Sequence, residues 1–165
     1  MIYIEEGGFY INSTEITNRQ YEEFIRATGH CPPCYWIDNK PPQGDENAPV
    51  VYVNFHDAQK YAEWIDARIP TEEEWELAAQ ASKKNNELKN LIDDGKRGNC
   101  EKGGYPDRET NVAEWTNSSF TSHETHFKTV HRGFVEQSSV DVPVIHRAPM
   151  FEKDANISTG FRCVR

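Results

Sequence analysis

Helical and strand-like patterns occupy different parts of this chain. Three segments with the 3.6-residue period of amphipathic helices lie at 16–30, 54–67 and 69–82. Residues able to cap a helix stand at or near their starts, namely Thr17, Asn54 and Thr71. Further along, apolar segments separated by polar turns predict strands at 127–137, 142–149 and 158–165. Helices and strands segregated in this way predict an α+β domain with its sheet assembled late in the sequence.

The length of the chain sets the scale of the fold. A chain of 165 residues is one domain's worth, so we expect a single domain over residues 1–165. Two further apolar segments, 7–11 and 49–53, predict short strands. The polar, charged stretch 83–104 is predicted to be a surface insertion. Aromatic residues make up 12% of the chain and Gly and Pro are frequent, which favours an irregular, loop-rich domain.

The acidic character of the chain limits its partners. Its formal net charge is −9, which disfavours binding to nucleic acid. No segment approaches the run of about 20 apolar residues that a membrane-spanning helix needs. The first ten residues lack the basic and apolar regions of a signal peptide. We therefore expect a polar protein of the cytoplasm without a membrane span.

Cysteine usage leaves several interpretations open. The chain contains Cys31, Cys34, Cys100 and Cys163. Cys31 and Cys34 form the C-x-x-C pair "CPPC", which is typical of redox pairs and of half zinc sites. No second C-x-x-C completes a four-cysteine zinc site. The pair is therefore a structural or incidental feature, a disulfide or redox pair, or part of a metal site with Cys100 or a histidine.

Two clusters of polar residues also suggest metal chemistry. Glu72, Glu73 and Glu74 form an acidic triplet, but carboxylates are what the positive end of a helix prefers, so we interpret them as a helix start. The segment "SHETHFKTVH" contains three histidines, which are His123, His126 and His131. A solvated loop is the favoured interpretation there, because in an extended segment the first two would face opposite sides.

Several segments together resemble the formylglycine-generating-enzyme family, also called the sulfatase-modifying-factor family. They are "FYINSTEITNRQYEEF", "PVVYVNFHDAQKYAEWIDARIPTEEEWELAA", "NVAEWT", "HRG" and "GFRCVR". The family pattern contains E-V-T-N-x-x-Y-x-x-F, V-x-W-x-D-A-x-x-Y-x-x-W, R-L-P-T-E-x-E-W-E, G-N-V-W-E-W, G-G-S and G-F-R. The resemblance covers nearly the whole chain in the same order. It implies an α+β, C-type-lectin-like fold of the formylglycine-generating-enzyme subtype.

The stretch "DRETNVAEW" corresponds to a calcium loop in the family. The resemblance implies ligands from the side chains of Asp107 and Glu114 and from the carbonyls of Thr110 and Val112. Carboxylate and carbonyl oxygens are what calcium prefers, so the donor set is sensible on its own. Thr110 and Ala113 depart from the glycine and tryptophan of the family pattern. The alternative is a plain turn followed by a strand, with Glu114 on the surface.

The family's catalytic cysteines have no counterpart here. Members that oxidise a cysteine to formylglycine bind copper with two cysteines between the G-G-S and G-F-R strands. The matching interval, 132–162, contains no cysteine, and Ser138 and Ser139 are not soft copper ligands. We therefore reject formylglycine-generating activity. Relatives also carry a disulfide from the G-F-R-C cysteine, but its partner position is Ala62, so Cys163 is expected to be a free, buried thiol.

A non-catalytic branch of this fold offers the leading hypothesis. The variable proteins of diversity-generating retroelements display variable side chains between the G-G-S-like and G-F-R strands. The resemblance implies ligand-facing residues in this chain at Phe134, Glu136, Gln137, Ser138, Asp141, Phe151, Glu152, Asp154 and Asn156. We expect a ligand-binding module whose partner is a protein, located in the cytoplasm or on a virion.

Two other functions stay open. One is a metal-dependent oxidoreductase of the superfamily that also contains iron-dependent sulfoxide synthases, with its metal moved to His123, His126, His131 or Cys31. The other is a structural partner of a larger enzyme. Fold alone does not decide between binding and catalysis.

Overall fold

The computed structural model describes residues 1–84, 112–135 and 144–165. Within these ranges the chain forms three helices and six strands. In chain order they are β1 (Ile2–Ile4), β2 (Phe9–Ile11), α1 (Asn18–Thr28), α2 (Phe55–Trp64), α3 (Glu72–Lys84), β3 (Ala113–Thr121), β4 (Glu124–Val135), β5 (Val144–Phe151) and β6 (Thr159–Gly160). This order confirms the α+β prediction.

The strands form two sheets. β1 and β2 make a two-stranded antiparallel sheet near the N-terminus. The larger sheet has the order β5-β4-β3-β6 and comes entirely from the second half of the chain, as predicted. Its neighbours are antiparallel except β3 and β6, which run parallel. The β3–β4 register places Glu114 opposite His131, and the β4–β5 register places His131 opposite Arg147.

The three helices start where the sequence predicts. Each start is a capping box, in which the cap side chain accepts from a backbone N–H three residues on and that residue's side chain accepts from the cap's own N–H. The reciprocal pairs are Thr17 with Gln20, Asn54 with Asp57, and Thr71 with Glu74. Because a capping box is local, it fixes the helix start without reference to the rest of the fold.

The predicted strand at 49–53 is wrong. Pro49 makes one isolated antiparallel bridge to Thr17, and no strand follows it. Tyr52 has a φ of 56°, a left-handed conformation that interrupts an extended strand. Val50 and Val53 are nonetheless fully buried. The apolar residues of 49–53 are therefore buried in an irregular segment and not in a strand.

The core has two parts. The larger cluster lies between α1, α2 and the main sheet and includes Tyr21, Tyr61, Trp115 and Phe161. The smaller cluster packs α3 against the N-terminal sheet and is centred on Trp75. Aromatic rings dominate the larger cluster, so shape rather than area alone fixes how its elements meet.

Two further expectations are settled only in part by the described residues. The first two residues of the predicted insertion at 83–104 complete α3, and the remainder lies outside the described ranges. None of the helices in the described ranges is long and apolar enough to cross a membrane.

The short parallel strand β6 depends on a glycine. A Cβ added to Gly160 would lie 2.8 Å from the carbonyl oxygen of Val50 and 3.0 Å from Cγ2 of Val112. The nearer of these atoms belongs to the backbone, so it cannot rotate away. The buried segment around Val50 and strand β6 can therefore approach this closely only without a side chain at position 160.

We expect Gly160→Ala to lower the free energy of unfolding by about 1–3 kcal/mol, the usual cost of overpacking a core. Urea denaturation measures it. Gly29→Asn is the matched control, since Gly29 has a φ of 71° with open space around it and asparagine tolerates that conformation. An alanine variant as stable as the wild type would contradict the close approach.

Candidate functional site

A buried ion pair joins strand β3 of the main sheet to the segment that follows β6. Glu114 in β3 is 0% exposed, and Arg162, two residues beyond β6, is 1% exposed. Arg162 Nε donates to Glu114 Oε2 at 2.6 Å, and Nη2 donates to Oε1 at 2.8 Å. This two-fold contact is the strongest geometry that a guanidinium and a carboxylate can adopt. It joins two segments that are 48 residues apart in sequence.

Neighbouring groups complete the environment of this pair. Trp75 Nε1, from α3, donates to Glu114 Oε2 at 2.9 Å. Arg162 Nη1 donates to the carbonyl oxygen of Asn12 at 3.2 Å. The carboxylate of Glu15 lies 3.8 Å from Arg162. Burial raises the pKa of Glu15, and repulsion from Glu114 raises it further. The pair thus ties α3, β3 and both ends of the chain together.

The predicted calcium loop is only partly described. Asp107 and Thr110 lie outside the described residues, so the loop as a whole stays a prediction. Val112 directly precedes β3 and is buried, and Glu114 is the carboxylate of the ion pair. The alternative that placed Glu114 on the surface is wrong. Arg162 and Trp75 already use both of its oxygens, and this competes with the predicted calcium role of Glu114.

A second polar group lies where α3 meets the sheet, and we call it the carboxylate–histidine group. It consists of Glu72, Glu76 and His131, whose potential ligand atoms all lie within 4.8 Å of one another. His131 is fully buried, and its ring stacks on that of Trp75 with centroids 4.8 Å apart and planes 22° apart. Burial lowers the pKa of His131, although Glu72 acts in the opposite direction. The three residues form a group that could hold a metal ion.

The carboxylate of Glu72 also accepts hydrogen bonds from two residues of the main sheet. Arg147 in β5 donates from Nε to Oε1 and from Nη2 to Oε2 of Glu72, and Thr129 Oγ1 donates to Oε2 at 3.3 Å. Burial raises the pKa of Glu72, but the hydrogen bonds and charge of Arg147 outweigh it, so the pKa lies below 4.5. Glu72 therefore stays ionised beside the histidine. The interpretation of the acidic triplet as a helix start alone missed this contact.

The three histidines of the "SHETHFKTVH" segment do not converge. His123 is exposed in the turn between β3 and β4. His126 Nδ1 donates to Oε1 of Glu152 at 2.7 Å on an exposed face. His131 alone faces the core. Among the described residues, His123 and His126 belong to no group of three potential metal ligands.

The predicted ligand-facing residues divide into two sets. Outside the described residues or side chains lie Phe134, Glu136, Gln137, Ser138 and Asp141. The described set comprises Phe151, Glu152, Asp154 and Asn156, which occupy the end of β5 and the loop after it. Of these four, Asp154 is exposed and the other three are partly buried.

The other described side chains of that set make internal contacts. Phe151 packs on Phe127 with ring centroids 5.6 Å apart. The Glu152 side chain is only 14% exposed because it pairs with His126. Asn156 Oδ1 accepts hydrogen bonds from the backbone and the side chain of Ser158. The surface here therefore mixes one free carboxylate with a partly exposed aromatic and histidine patch.

The cysteines occupy two kinds of site. Cys31 and Cys34 are exposed and free in the loop after α1. Cys163 is free and buried, as expected. Burial raises the pKa of Cys163 far above its ordinary value, so this thiol stays protonated.

The sequence of this chain is similar to that of a known protein family and of several of its members. The family described as sulfatase-modifying factor enzyme 1-like domain matches residues 3–107. The chain is 30% identical over 112 residues to a formylglycine-generating enzyme of Streptomyces coelicolor, covering 44% of this chain and 36% of that enzyme. It is 30% identical over 149 residues to the inactive Cα-formylglycine-generating enzyme 2 of Bos taurus, covering 70% of this chain and 49% of the relative. The chain thus spans less than half the length of either relative.

A solved structure shows the same fold over nearly the whole chain. Treponema denticola variable protein 1 superimposes with a TM-score of 0.59 at 16% identity, covering 94% of this chain and 84% of that protein. At this identity the likeness shows the fold alone. Together with the family match, it confirms the predicted α+β, C-type-lectin-like architecture.

We expect Arg162→Met to lower the free energy of unfolding by about 3–5 kcal/mol, because it leaves the Glu114 carboxylate buried without a partner. Chemical denaturation monitored by tryptophan fluorescence measures this loss. The double variant Glu114→Gln/Arg162→Met should lose less, since the charge of Glu114 is removed together with its partner.

Arg147→Met provides the matched control, because Arg147 also pairs with a glutamate but its side chain is 39% exposed. Its loss should stay within about 1 kcal/mol, as for other solvent-exposed pairs. Equal losses in the Arg162 and Arg147 variants would show that burial does not strengthen the Glu114 pair.

Proposed function

The chain belongs to the sulfatase-modifying factor enzyme 1-like domain family, and within that family we propose that it is a non-catalytic ligand-binding module. Its scaffold is the C-type-lectin-like fold, and its ligand is a protein bound by the ligand-facing residues that the resemblance implies, of which Phe151, Glu152, Asp154 and Asn156 are described. In its most specific version, the proposal is that the chain is a variable protein of a diversity-generating retroelement.

The observation that carries the proposal is the cysteine-free interval 132–162. Relatives that make formylglycine are expected to hold copper there with two thiolates, and Cu(I) requires soft ligands. Cys163, just beyond the interval, does not replace them, because it is a single thiol and is fully buried. The copper chemistry of the family thus lacks its ligands in this chain.

The proteins similar to this chain include some that are not named as active enzymes. The bovine relative, which matches more of this chain than the Streptomyces enzyme does, is itself named inactive. The structural neighbour from Treponema is named a variable protein. The same family and fold therefore accommodate both proteins named as enzymes and proteins that are not, so a non-catalytic module is compatible with them.

The backbone of the loop after β5 also suits a binding surface. Four backbone hydrogen bonds hold it: Tyr52 N to Asn156 O at 2.9 Å, Phe55 N to Glu152 O at 3.1 Å, Glu152 N to His126 O at 2.8 Å, and Asp154 N to Phe151 O at 2.8 Å. Backbone hydrogen bonds do not depend on side-chain identity. The loop is therefore held in place while exposed side chains such as Asp154 stay free to vary, which keeps the entropic cost of binding low.

Several features of the proposal follow from charge and composition. A net charge of −9 disfavours nucleic acid as the ligand. A mixture of aromatic and short polar side chains is suited to protein recognition. A calcium ion at 107–114 would have a structural role, and the cytoplasm or a virion is the proposed location. The gene should lie beside a reverse transcriptase and a near-copy of its 3′ end that differs mainly at adenines.

We expect no aldehyde when the purified protein is loaded with Cu(I) and incubated with a peptide carrying the target cysteine. Mass spectrometry of the peptide detects the conversion of cysteine to formylglycine. The Streptomyces enzyme serves as the positive control under the same conditions. Aldehyde formation by this chain would overturn the non-catalytic proposal.

We expect a photo-crosslinking phenylalanine analogue in place of Asp154 to form a covalent adduct with a protein in the native host. The control position is Glu63, which is also exposed but lies about 12 Å along α2 from the Phe55 end that contacts the loop. Gel shift and mass spectrometry should reveal an adduct of one defined mass at position 154 and none at position 63. Equal labelling at both positions, or none, would contradict a binding surface there.

A metal-dependent oxidoreductase is the second candidate. The carboxylate–histidine group favours it, because it gathers nitrogen and oxygen ligands near the sheet. Such an enzyme would retain iron or copper through purification. Its absorption spectrum would change when a reductant is added, because the metal ion is reduced. Retained redox metal would favour this candidate over the binding module.

A further inference from the structure

We infer that Glu72, Glu76 and His131 bind one divalent transition-metal ion, for which Zn²⁺ is the representative, between the first turns of α3 and strand β4. This inference is independent of the proposed ligand-binding role, since it concerns a different part of the molecule. It also differs from the predicted calcium loop at 107–114 and from the exposed pair Cys31 and Cys34.

The backbone brings the three side chains to one place. Glu72 and Glu76 are four residues apart, so they project from the same face of α3. His131 stands in β4 against that face, with Nε2 3.2 Å from Oε1 of Glu72. The potential ligand atoms lie within 4.8 Å of one another. Tetrahedral zinc with bonds of about 2.1 Å places its ligands about 3.4 Å apart, so small rotations of the flexible glutamates suffice.

The histidine supplies independent support for a ligand. His131 is fully buried, yet neither Nδ1 nor Nε2 has a hydrogen-bond partner. The contact with Glu72 is close, but its direction is not that of a hydrogen bond. A buried polar group left without a partner costs about 1–3 kcal/mol. Coordination by Nε2 would remove part of that cost and explain a histidine at a position otherwise suited to an apolar side chain.

The surroundings hold the ligands as metal sites require. Stacking on Trp75 fixes the ring of His131, and Trp75 is in turn held by its hydrogen bond to Glu114. Thr129 and Arg147 donate to Glu72, which orients its carboxylate, although Arg147 uses both oxygens and has to release one of them to a metal. Outer hydrogen bonds of this kind orient metal ligands and raise affinity. Arg147 is partly exposed and can adjust when a cation enters.

Charge and ligand type select the ion. One imidazole and two carboxylates are borderline and hard ligands, which suit Zn²⁺ and related divalent ions rather than Cu(I). The two glutamates balance the charge of a divalent ion, and Arg147 adds one positive charge at the edge. Three protein ligands leave a fourth tetrahedral position for water or a small anion.

The test is zinc binding by the tag-free protein, measured by competition with a chromogenic chelator and by metal analysis after dialysis. We expect one equivalent of zinc and a higher melting temperature when zinc is present, because an ion that binds only the folded state stabilises it. His131→Phe keeps the buried, stacked ring but removes both nitrogens. Glu76→Gln keeps the shape of a partly exposed side chain and removes one charge. Each should weaken zinc binding by at least about tenfold.

Two controls locate the site. His123→Asn removes an exposed histidine, and Cys31→Ser/Cys34→Ser removes the exposed thiols, and both should bind zinc as the wild type does. Cobalt should replace zinc without a sulfur-to-cobalt charge-transfer band. Unchanged binding in Glu76→Gln, loss of binding in the cysteine variant, or no zinc uptake by the wild type would each overturn the inference. If His131→Phe does not fold, the result for Glu76→Gln decides alone.

Discussion

The buried contact between Glu114 and Arg162 is the constraint on which the rest of the structure depends. A lone charge in either position would be strongly destabilising, so neither residue is tolerated without the other. Satisfying both requires β3 and the segment after β6 to lie side by side, and Trp75 adds α3 to the same carboxylate. Helix α3 and the main sheet are therefore held together by one carboxylate as well as by apolar contact.

Helix starts could be predicted from the sequence because their determinants are local. Thr17, Asn54 and Thr71 each exchange hydrogen bonds with a residue three positions on, so a short window contains the whole interaction. The segment 49–53 shows the opposite case. Its apolar residues are buried as expected, but the left-handed backbone at Tyr52 reflects packing against distant parts of the chain. No local sequence pattern predicts this left-handed conformation.

The candidate sites depended on contacts between distant residues, and prediction succeeded less well there. Glu114 and Arg162 are single charges in the apolar runs "VAEW" and "GFRCV", a signal that pointed to a buried pair but was interpreted as a calcium ligand and a family motif. His131 was grouped with His123 because they are close in sequence. The packing of α3 against β4 instead places it beside Glu72, 59 positions earlier, which no spacing rule could reveal.

The position of Arg162 along the chain has a genetic consequence. It is encoded downstream of the proposed ligand-facing segments 134–141 and 151–156. An insertion or deletion that shifts the reading frame within those segments would replace Arg162 and leave Glu114 buried without its counter-charge. Such a product would lose much of its stability, whereas in-frame changes of exposed residues would leave the pair intact. The stability of the fold would thus depend on transcripts that are read in frame as far as the codon for Arg162.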